Sequence, residues 1–384
     1  MNRIYLDNAA TTPLDKEVIA EMVRVMENYY GNPSSIHAQG REVRTLIEKA
    51  RKTVSGLLNA VPAEIFFTSG GTEADNMAIR CGIAAYGIKH AITSKIEHHA
   101  VEHTMGQLLK DGTIEKLSFV NVDTKGNIDY AHLEDLLRDN PRSFVSLMHA
   151  NNELGTLTDL ERVGDICEKY NAILHSDTVQ TMGHYVHDVK KLKAHFIVCA
   201  GHKLHGPKGV GFIYVNHTVK ISPLIFGGAQ ERNMRGGTEN VYGIVGLAKA
   251  LEIAYRDMDS HRSHIENLKS RMIQKLSENI EGIRFNGQSG QLENSLYTVL
   301  NVSLPPSDIS DMLLFNLDIA GIAVSGGSAC SSGTEIGSHV LNELQIDPER
   351  ANVRFSFGKY NTEQEIDYAV TTLAELYRKE SVML

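Results

Sequence analysis

The sequence has little of several features that mark specialised classes of protein. Tryptophan is absent, and the 384 residues include only four cysteines and nine prolines. No stretch approaches the roughly 18 consecutive apolar residues that a membrane-spanning helix needs. The N-terminal stretch MNRIYLDNAATTP also lacks the apolar core of a secretory signal. We therefore expect a cytoplasmic protein that does not contact a membrane.

The cysteines and the charges narrow the class further. Cys81, Cys167, Cys199 and Cys330 form no CxxC pair, which argues against a disulfide framework and against a thiolate zinc site. Lysine and arginine number 38 against 47 aspartates and glutamates, giving a net charge of −9. Nucleic acid is therefore not an expected partner. A hydrophobic content of 42% with 22% charged residues is that of an ordinary globular protein.

Strand-like apolar runs alternate with helical patterns up to about residue 280. The runs lie at 65–68, 91–93, 117–122, 144–148, 172–174, 196–199 and 210–215. Helical spacing of apolar residues occurs at 18–26, 41–58, 73–86, 159–170, 241–256 and 261–280. This alternation predicts an α/β fold with a mostly parallel seven-stranded sheet covered by helices.

The pattern changes after the helix at 261–280. Short strand-like and helical stretches follow at 296–302, 308–318, 353–357 and 362–378, which predicts a smaller α+β unit. Two units are expected for this length, since a single core stops growing near roughly 250–300 residues. We place a large domain at 15–258 and a small domain at 1–14 together with 259–384.

The segment CAGHKLHGPKGVG places Lys203 just after a predicted strand. The spacing of Gly201 and Gly206 resembles a phosphate loop, but Pro207 stands where such a loop needs lysine. A solvated turn is the plain alternative, since Gly-Pro-Lys-Gly favours turns. A lysine between two core strands instead lies where open α/β sheets bind ligands.

Two further features belong to the same predicted sheet edge. In FTSGGTE, glycines lead from a predicted strand into a predicted helix. Backbone amides there, with the hydroxyls of Ser69 and Thr72, would form a phosphate cup. Serine and threonine are also common helix N-caps, which is the alternative. Asp177 is either a turn residue or the partner of a protonated ring nitrogen, and Gln180 would point into the same cleft. A lysine, a carboxylate and a phosphate cup are the parts of a pyridoxal-phosphate site.

Three histidines lie in the stretch EHHAVEH. The flat imidazole of His98 would stack on a cofactor ring and move protons near neutral pH. His99 and His103 are four residues apart on a predicted helix face, but the stretch is not His-Glu-x-x-His. A zinc site is therefore the less favoured interpretation.

A cysteine and an arginine near the C-terminus complete the candidates. Cys330 lies in SGGSACSSG, whose small residues predict a mobile loop with a free nucleophilic thiol. A buried packing cysteine is the alternative. Strand alternation places Arg354 with Asn352 and Ser356, where it would clamp a substrate carboxylate unless it is a solvated edge charge.

Taken together, these motifs resemble those of the cysteine desulfurases, pyridoxal-phosphate enzymes of the class V aminotransferase group. The matching stretches are YLDNAATTP (5–13), GNPSSIH (31–37), FTSGGTEADN (67–76), EHHAV (97–101), HANNELG (149–155), GHKLHGPKG (201–209), RGGTEN (235–240), SGGSACSSG (325–333) and VRFSFG (353–358). The resemblance implies the pyridoxal-phosphate-dependent transferase fold, fold type I. The segment around Cys330 resembles the branch for iron–sulfur assembly and nitrogenase maturation.

The resemblance also implies a role for each candidate. Lys203 would form the Schiff base, His98 would stack on the ring and transfer protons, and Asp177 would pair with the ring nitrogen. The other implied contacts are Gln180 and Asn152 beside the ring and substrate, Gly71, Thr72 and His202 at the phosphate, Thr238 at the phosphate of the second subunit in a homodimer, and Arg354 at the carboxylate of L-cysteine.

Cys330 would take the substrate sulfur as a persulfide and leave alanine. The sulfur would pass to an acceptor such as an iron–sulfur scaffold protein, for cluster assembly or tRNA thiolation. No fixed metal is implied, only a transient contact of Cys330 with an iron–sulfur cluster.

The chain departs from the family pattern in three places. Ala200 stands where the family has a serine that donates to the cofactor phosphate, so we expect looser cofactor retention. Thr178 replaces the usual alanine after the aspartate, and Ile336-Gly337 replaces the usual Glu-Pro or Glu-Ala type of pair. The alternatives are a selenocysteine lyase or aminotransferase on the same fold, and a scaffold protein without catalysis.

Overall fold

The computed structural model describes residues 3–140, 142–326 and 338–381. Its strands are β1 (Ile4–Tyr5), β2 (Ile65–Thr68), β3 (His90–Thr93), β4 (Lys116–Phe119), β5 (Phe144–Ser146), β6 (Ile173–Asp177), β7 (Phe196–Ala200), β8 (Gly211–Val215), β9 (Arg284–Phe285), β10 (Val299–Ser303), β11 (Ile322–Ala323) and β12 (Asn352–Ser356). Its helices are α1 (Lys16–Asn28), α2 (Ala38–Leu57), α3 (Gly71–Asn76), α4 (Gly82–Tyr86), α5 (His99–Lys110), α6 (Tyr130–Asp139), α7 (Leu160–Lys169), α8 (Val189–Leu192), α9 (Gln230–Asn233), α10 (Val241–Arg256), α11 (Met258–Asn279), α12 (Leu313–Ile319), α13 (His339–Glu343) and α14 (Glu363–Ser381).

Seven strands form the central sheet, in the order β2-β8-β7-β6-β5-β3-β4. Neighbouring strands are parallel except that β8 runs antiparallel to both β2 and β7. The predicted α/β fold with a mostly parallel seven-stranded sheet is therefore confirmed. Because β6 and β7 are parallel neighbours, their carboxyl ends, at Asp177 and Ala200, lie at the same edge.

Alternation along the strands divides the apolar side chains between two cores. Phe67 and Ile197 belong to the core on one face of the sheet, whereas Phe66, Phe196 and Val198 belong to the core on the other. The sheet is thus covered on both faces, as expected for parallel strands connected by helices.

Aspartates fix the beginnings of several helices. The side chains of Asp15, Asp129, Asp159 and Asp188 accept backbone amides at the starts of α1, α6, α7 and α8. These bonds satisfy amides that have no partner inside the helix. α3 has no such side-chain cap, and it continues through a π-helical turn, Met77–Cys81, into α4.

A third core lies around a three-stranded antiparallel sheet of order β12-β10-β9. It combines Ile4 and Leu6 near the N-terminus with residues of α11, α12 and α14. β1 pairs in parallel with β11, and Asp7 bridges to Ser356 of β12. The N-terminal segment therefore packs with strands from the C-terminal third of the chain.

The predicted elements differ from the observed ones mainly where polar residues are buried. β6 extends to Asp177, beyond the predicted 172–174, because Ser176 and Asp177 are polar yet buried in the sheet. α6 was not predicted. Within the described ranges, no helix combines the length and apolar character needed to cross a membrane.

Candidate active site

A cavity of about 240 Å³ opens at the carboxyl ends of β6 and β7. Its lining includes these predicted site residues: Gly71, Thr72, His98, Asn152, Asp177, Gln180, Ala200, His202, Lys203 and Arg354. Residues that the sequence did not single out complete it, among them Ala9, Ala10 and Asp75. Segments far apart in the sequence thus meet at one edge of the sheet.

Lys203 lies in a short 3₁₀ turn directly after β7. Its Nζ donates hydrogen bonds to the carbonyl oxygens of Ala9, at 2.5 Å, and Ala10, at 2.9 Å. Gln180 also donates to the Ala9 oxygen, at 3.1 Å. The N-terminal segment thus supplies the acceptors that hold the lysine amino group in the cavity.

Asp177 ends β6 and faces two other ionisable groups. Its Oδ1 accepts the amide of Val179 at 2.8 Å. Ligand atoms of Asp75, His98 and Asp177 all lie within 4.8 Å of one another. Two carboxyl groups and an imidazole therefore share one small region beside Lys203.

Asp75 is the main site residue that the sequence analysis missed. It is buried on α3, and burial, together with the neighbouring carboxyl groups of Asp177 and Glu97, raises its pKa well above the ordinary value. Its Oδ1 lies 3.3 Å from Nε2 of His175, and neither atom has a hydrogen-bond partner among the described residues. The available signal was its position four residues after Gly71, on the same helix face.

Glu97 lies behind this group and is fully buried. Its Oε1 accepts the amide of Met148 at 2.9 Å and the hydroxyl of Ser94 at 3.0 Å. Its Oε2 has no hydrogen-bond partner within the described part of the chain. Burial raises the pKa of Glu97 to about 8, so this side chain is protonated over much of the neutral range.

His98 caps the start of α5 with its own ring. Nδ1 accepts the amide of Ala100 at 3.1 Å, so the neutral ring carries its proton on Nε2. Burial lowers the pKa of His98, the charge of Asp177 opposes that shift, and Lys203 adds to it. A neutral imidazole with a donating Nε2 therefore faces the cavity.

Gly71 forms a narrow cup where β2 leads into α3. Gly70 has a φ of 153°, in the range that favours glycine. A Cβ on Gly71 would lie 2.9 Å from Cγ2 of Val179 and 3.7 Å from Cβ of Ala200, so a larger residue would displace its neighbours. His202 lines the same cavity, and burial, with Lys203 and Lys208 nearby, lowers its pKa to about 4.

Arg354 is buried on β12 and reaches the cavity from the third core. It forms an ion pair with Asp7 at 2.9 Å, and Nη1 donates to the carbonyl oxygen of Asn152 at 3.0 Å. Its Nε has no hydrogen-bond partner among the residues that the structure describes. The sequence prediction of a solvated edge charge as the alternative role is therefore wrong, since the side chain is only 1% exposed.

One predicted site residue, Thr238, does not line this cavity. Thr238 is exposed and lines a separate cavity of about 240 Å³ with Ser69, Gly209 and Arg235. Cys330 lies outside the described residues, as does the pair Ile336-Gly337. Three other cysteines, Cys81, Cys167 and Cys199, are buried free thiols.

The chain is similar to known proteins along nearly its whole length. Residues 4–369 match the family described as Aminotransferase class-V. The cysteine desulfurase IscS of Dictyoglomus turgidum is 41% identical over 381 residues, covering 98% of this chain and 95% of that protein. The cysteine desulfurase IscS of Clostridium botulinum is 39% identical over 389 residues, covering 100% of this chain and 96% of that protein.

Solved structures of NifS-like proteins have the same fold as this chain. A NifS-like protein superposes with a TM-score of 0.90 and 38% sequence identity, covering 98% of this chain and 100% of that one. A NifS-like protein from Rickettsia africae superposes with a TM-score of 0.87 and 29% identity, again covering 98% and 100%.

Proposed function

This chain belongs to the class-V aminotransferase family and is a cysteine desulfurase, and on that basis we propose that its cavity binds pyridoxal 5′-phosphate and converts L-cysteine to L-alanine. The observation that carries the proposal is the grouping of Lys203, Asp177 and His98 in one cavity with the cup at Gly71. An amine, a carboxylate, a flat imidazole and an anion cup are the groups that this cofactor requires.

The residues present fit the cofactor in size and in chemistry. Position 71 leaves no room for a Cβ, and it lies at the start of a helix, where backbone amides favour a phosphate. Thr72 and His202 would add contacts there. Asp177 would keep a proton on the ring nitrogen, and bound pyridoxal phosphate would then supply an electron sink for the substrate carbon atoms.

The protein side chains would bind, orient and move protons around that group. Lys203 would hold the cofactor through Nζ, and the same amino group would accept and return protons during the reaction. The Nε2 proton of His98 would serve the same transfers. Arg354, oriented by its ion pair with Asp7, would bind the substrate carboxylate, with Asn152 beside it.

Cys330 would receive the sulfur. Its thiolate would form an S–S bond to the substrate sulfur while the substrate Cβ–S bond breaks. The Cβ keeps the electron pair and takes up a proton, which gives alanine and a persulfide on Cys330. A thiolate of an acceptor protein would then take the terminal sulfur, for iron–sulfur assembly or tRNA thiolation in a cytoplasmic setting.

Incubation of the purified holoprotein with L-cysteine tests the proposal. Alanine release and a persulfide on Cys330 are expected, and both should be lost in Cys330→Ala. Cys81→Ala is the matched control, because Cys81 is a buried thiol outside the cavity. Undiminished alanine release in Cys330→Ala would reject the persulfide route in favour of the lyase or aminotransferase alternatives.

A second copy of the chain would complete the site through Thr238. Arg235 holds the turn before Thr238 to the cup, because it forms a bidentate ion pair with Glu73 at 2.9 and 3.1 Å. The same turn packs on the segment that carries Phe226, whose side chain is 82% exposed. The neighbouring side chain of Ile225 is 38% exposed, and a second copy of the chain would cover both apolar side chains.

The homodimer can be tested by measuring molar mass in solution. The native holoprotein should have twice the mass of the chain. Phe226→Asp should shift it towards the monomer, whereas Tyr86→Asp, at a half-exposed aromatic residue on α4, should not. A monomeric native protein that retains full activity would contradict the role of Thr238.

A further inference from the structure

We propose that His99, Glu102 and His339 form a binding site for a divalent transition-metal ion of the zinc type. His99 and Glu102 lie on α5, and His339 is the first residue of α13. None of the three lines the cofactor cavity. The inference therefore stands apart from the proposed function.

The ligand atoms are already close to the spacing that such an ion needs. Nδ1 of His99 lies 3.3 Å from Oε2 of Glu102, and Nε2 of His339 lies 3.9 Å from that oxygen. One ligand atom from each side chain lies within 4.8 Å of the other two. Tetrahedral zinc with bonds of about 2.0–2.1 Å separates its ligands by roughly 3.3 Å, so small rotations would suffice.

The set of residue types suits zinc and its neighbours in the periodic table. Two imidazoles and one carboxylate are a common donor set for these ions, whereas magnesium and calcium prefer oxygen alone. The three side chains are 26–37% exposed, so water can complete the coordination. From the sequence, zinc was the less favoured interpretation because the stretch that carries His99 and His103 is not His-Glu-x-x-His.

Stacking holds the central ring in place. The ring of His99 contacts that of His103, at a centroid distance of 4.7 Å, and that of His339, at 4.4 Å. Packing against two rings restricts rotation of the His99 ring, which lowers the entropy cost of binding an ion. Coordination through Nε2 of His339 would replace its 3.0 Å hydrogen bond to the carbonyl oxygen of Glu97, so we expect micromolar affinity and not tighter.

The test is a calorimetric titration of Zn²⁺ into the holoprotein in a buffer that does not bind zinc. The native protein should bind one equivalent that His99→Gln and His339→Gln weaken by at least about tenfold. Glu102→Gln, which keeps both rings, should act in the same direction. His217→Gln is the matched control, because His217 forms a similar 2.8 Å ion pair with Glu64 but belongs to no group of three ligands among the described residues.

A parallel titration of Cys330→Ser separates this site from the thiol. If one equivalent persists in Cys330→Ser and disappears when His339→Gln is added, the histidine site is supported. If the equivalent disappears with Cys330→Ser alone and persists in both histidine variants, zinc binds at the thiol and the proposal is wrong. Equal binding by all variants would also overturn it.

Discussion

Two parts of the cavity are built from different kinds of group. We call the first the lysine end; it contains Lys203, Asp177, His98 and Asp75. We call the second the cup end; it contains Gly71, Thr72, Ala200 and His202. At the lysine end, ligand atoms of Asp75, His98 and Asp177 lie within 4.8 Å of one another, whereas at the cup end backbone and small side chains pack closely.

This difference separates the residues that should affect the reaction rate from the residues that should affect cofactor affinity. Buried charges that interact strongly shift one another's pKa, so a substitution at the lysine end should change rates or pH dependence. At the cup end, shape and hydrogen bonds decide how well an anion is held, so substitutions should change cofactor affinity more than rate.

The largest effect is expected from Lys203→Ala. Loss of the amino group should lower alanine release from L-cysteine by about 10²–10⁴-fold, because it removes both the covalent anchor and a proton carrier. Lys208→Ala, at an exposed lysine five residues further on, should retain activity and is the control. Near-native turnover in Lys203→Ala would place the chemistry elsewhere.

The second-largest effect is expected from Glu97, which lies behind the lysine end and should make the unfolding free energy depend on pH. Its pKa is raised from 4.5 to about 8 in the folded protein, so the folded state keeps a proton that the unfolded state loses. The stabilisation from this group is complete below about pH 4.5 and is lost as the pH rises towards 8. Glu97→Gln should therefore gain unfolding free energy relative to the native protein between pH 5 and 8, by at most about 1.4 kcal/mol per pH unit.

Urea unfolding of the holoprotein at several pH values checks this slope. Glu64→Gln is the control: burial opposes the shift, but hydrogen bonds from Val61 and His217 lower the pKa of Glu64. Its contribution is present above the unfolded pKa, so this variant should show no slope between pH 5 and 8. Parallel pH profiles for Glu97→Gln and the native protein would contradict the assignment.

At the lysine end, the sequence predicted the residues that come after recognisable strands better than it predicted the others. Lys203 and Asp177 lie a few residues after predicted apolar runs, so their place at the sheet edge could be inferred from local pattern. Asp75 and the Asp7 partner of Arg354 could not, because a buried polar residue looks like a surface residue in sequence. Asp7 and Arg354 are 347 positions apart and meet only through tertiary packing.

Within the fold, the same limit appears at β6 and α6. The apolar pattern ended the strand early, because Ser176 is buried without being apolar. α6 has a clear aspartate cap, Asp129, which accepts two backbone amides, but its short amphipathic pattern was not recognised. Long, strongly periodic elements were predicted correctly, since burial of one face dominates their sequences.

At the cup end, Ala200→Ser should strengthen cofactor binding. A hydroxyl at this position, beside Gly71, would add a hydrogen bond to a charged phosphate, worth about 1.5–3 kcal/mol. The rate of cofactor loss on dialysis should fall by roughly tenfold to a hundredfold, with little change in turnover of the saturated enzyme. Ala84→Ser, at an exposed position on α4, is the control. An unchanged rate of cofactor loss, or a changed turnover with unchanged cofactor affinity, would contradict the idea that the cup end affects affinity and the lysine end affects rate.

The smallest effect is expected at Thr178, which lies between Asp177 and the cup. Its buried hydroxyl donates to the carbonyl oxygen of Val198 on β7 at 2.6 Å, which ties the end of β6 to its neighbour. Thr178→Ala should cost about 1 kcal/mol of unfolding free energy and leave cofactor affinity unchanged, since the hydroxyl faces the sheet. Urea unfolding and dialysis of the same variant measure both quantities.

The control is Thr45→Ala, where the hydroxyl is exposed on α2, and this variant should change stability by less than about 0.5 kcal/mol. A loss of cofactor affinity in Thr178→Ala without a loss of stability would show that a change at the end of β6 alters the cup end. The lysine end and the cup end would then not be independent.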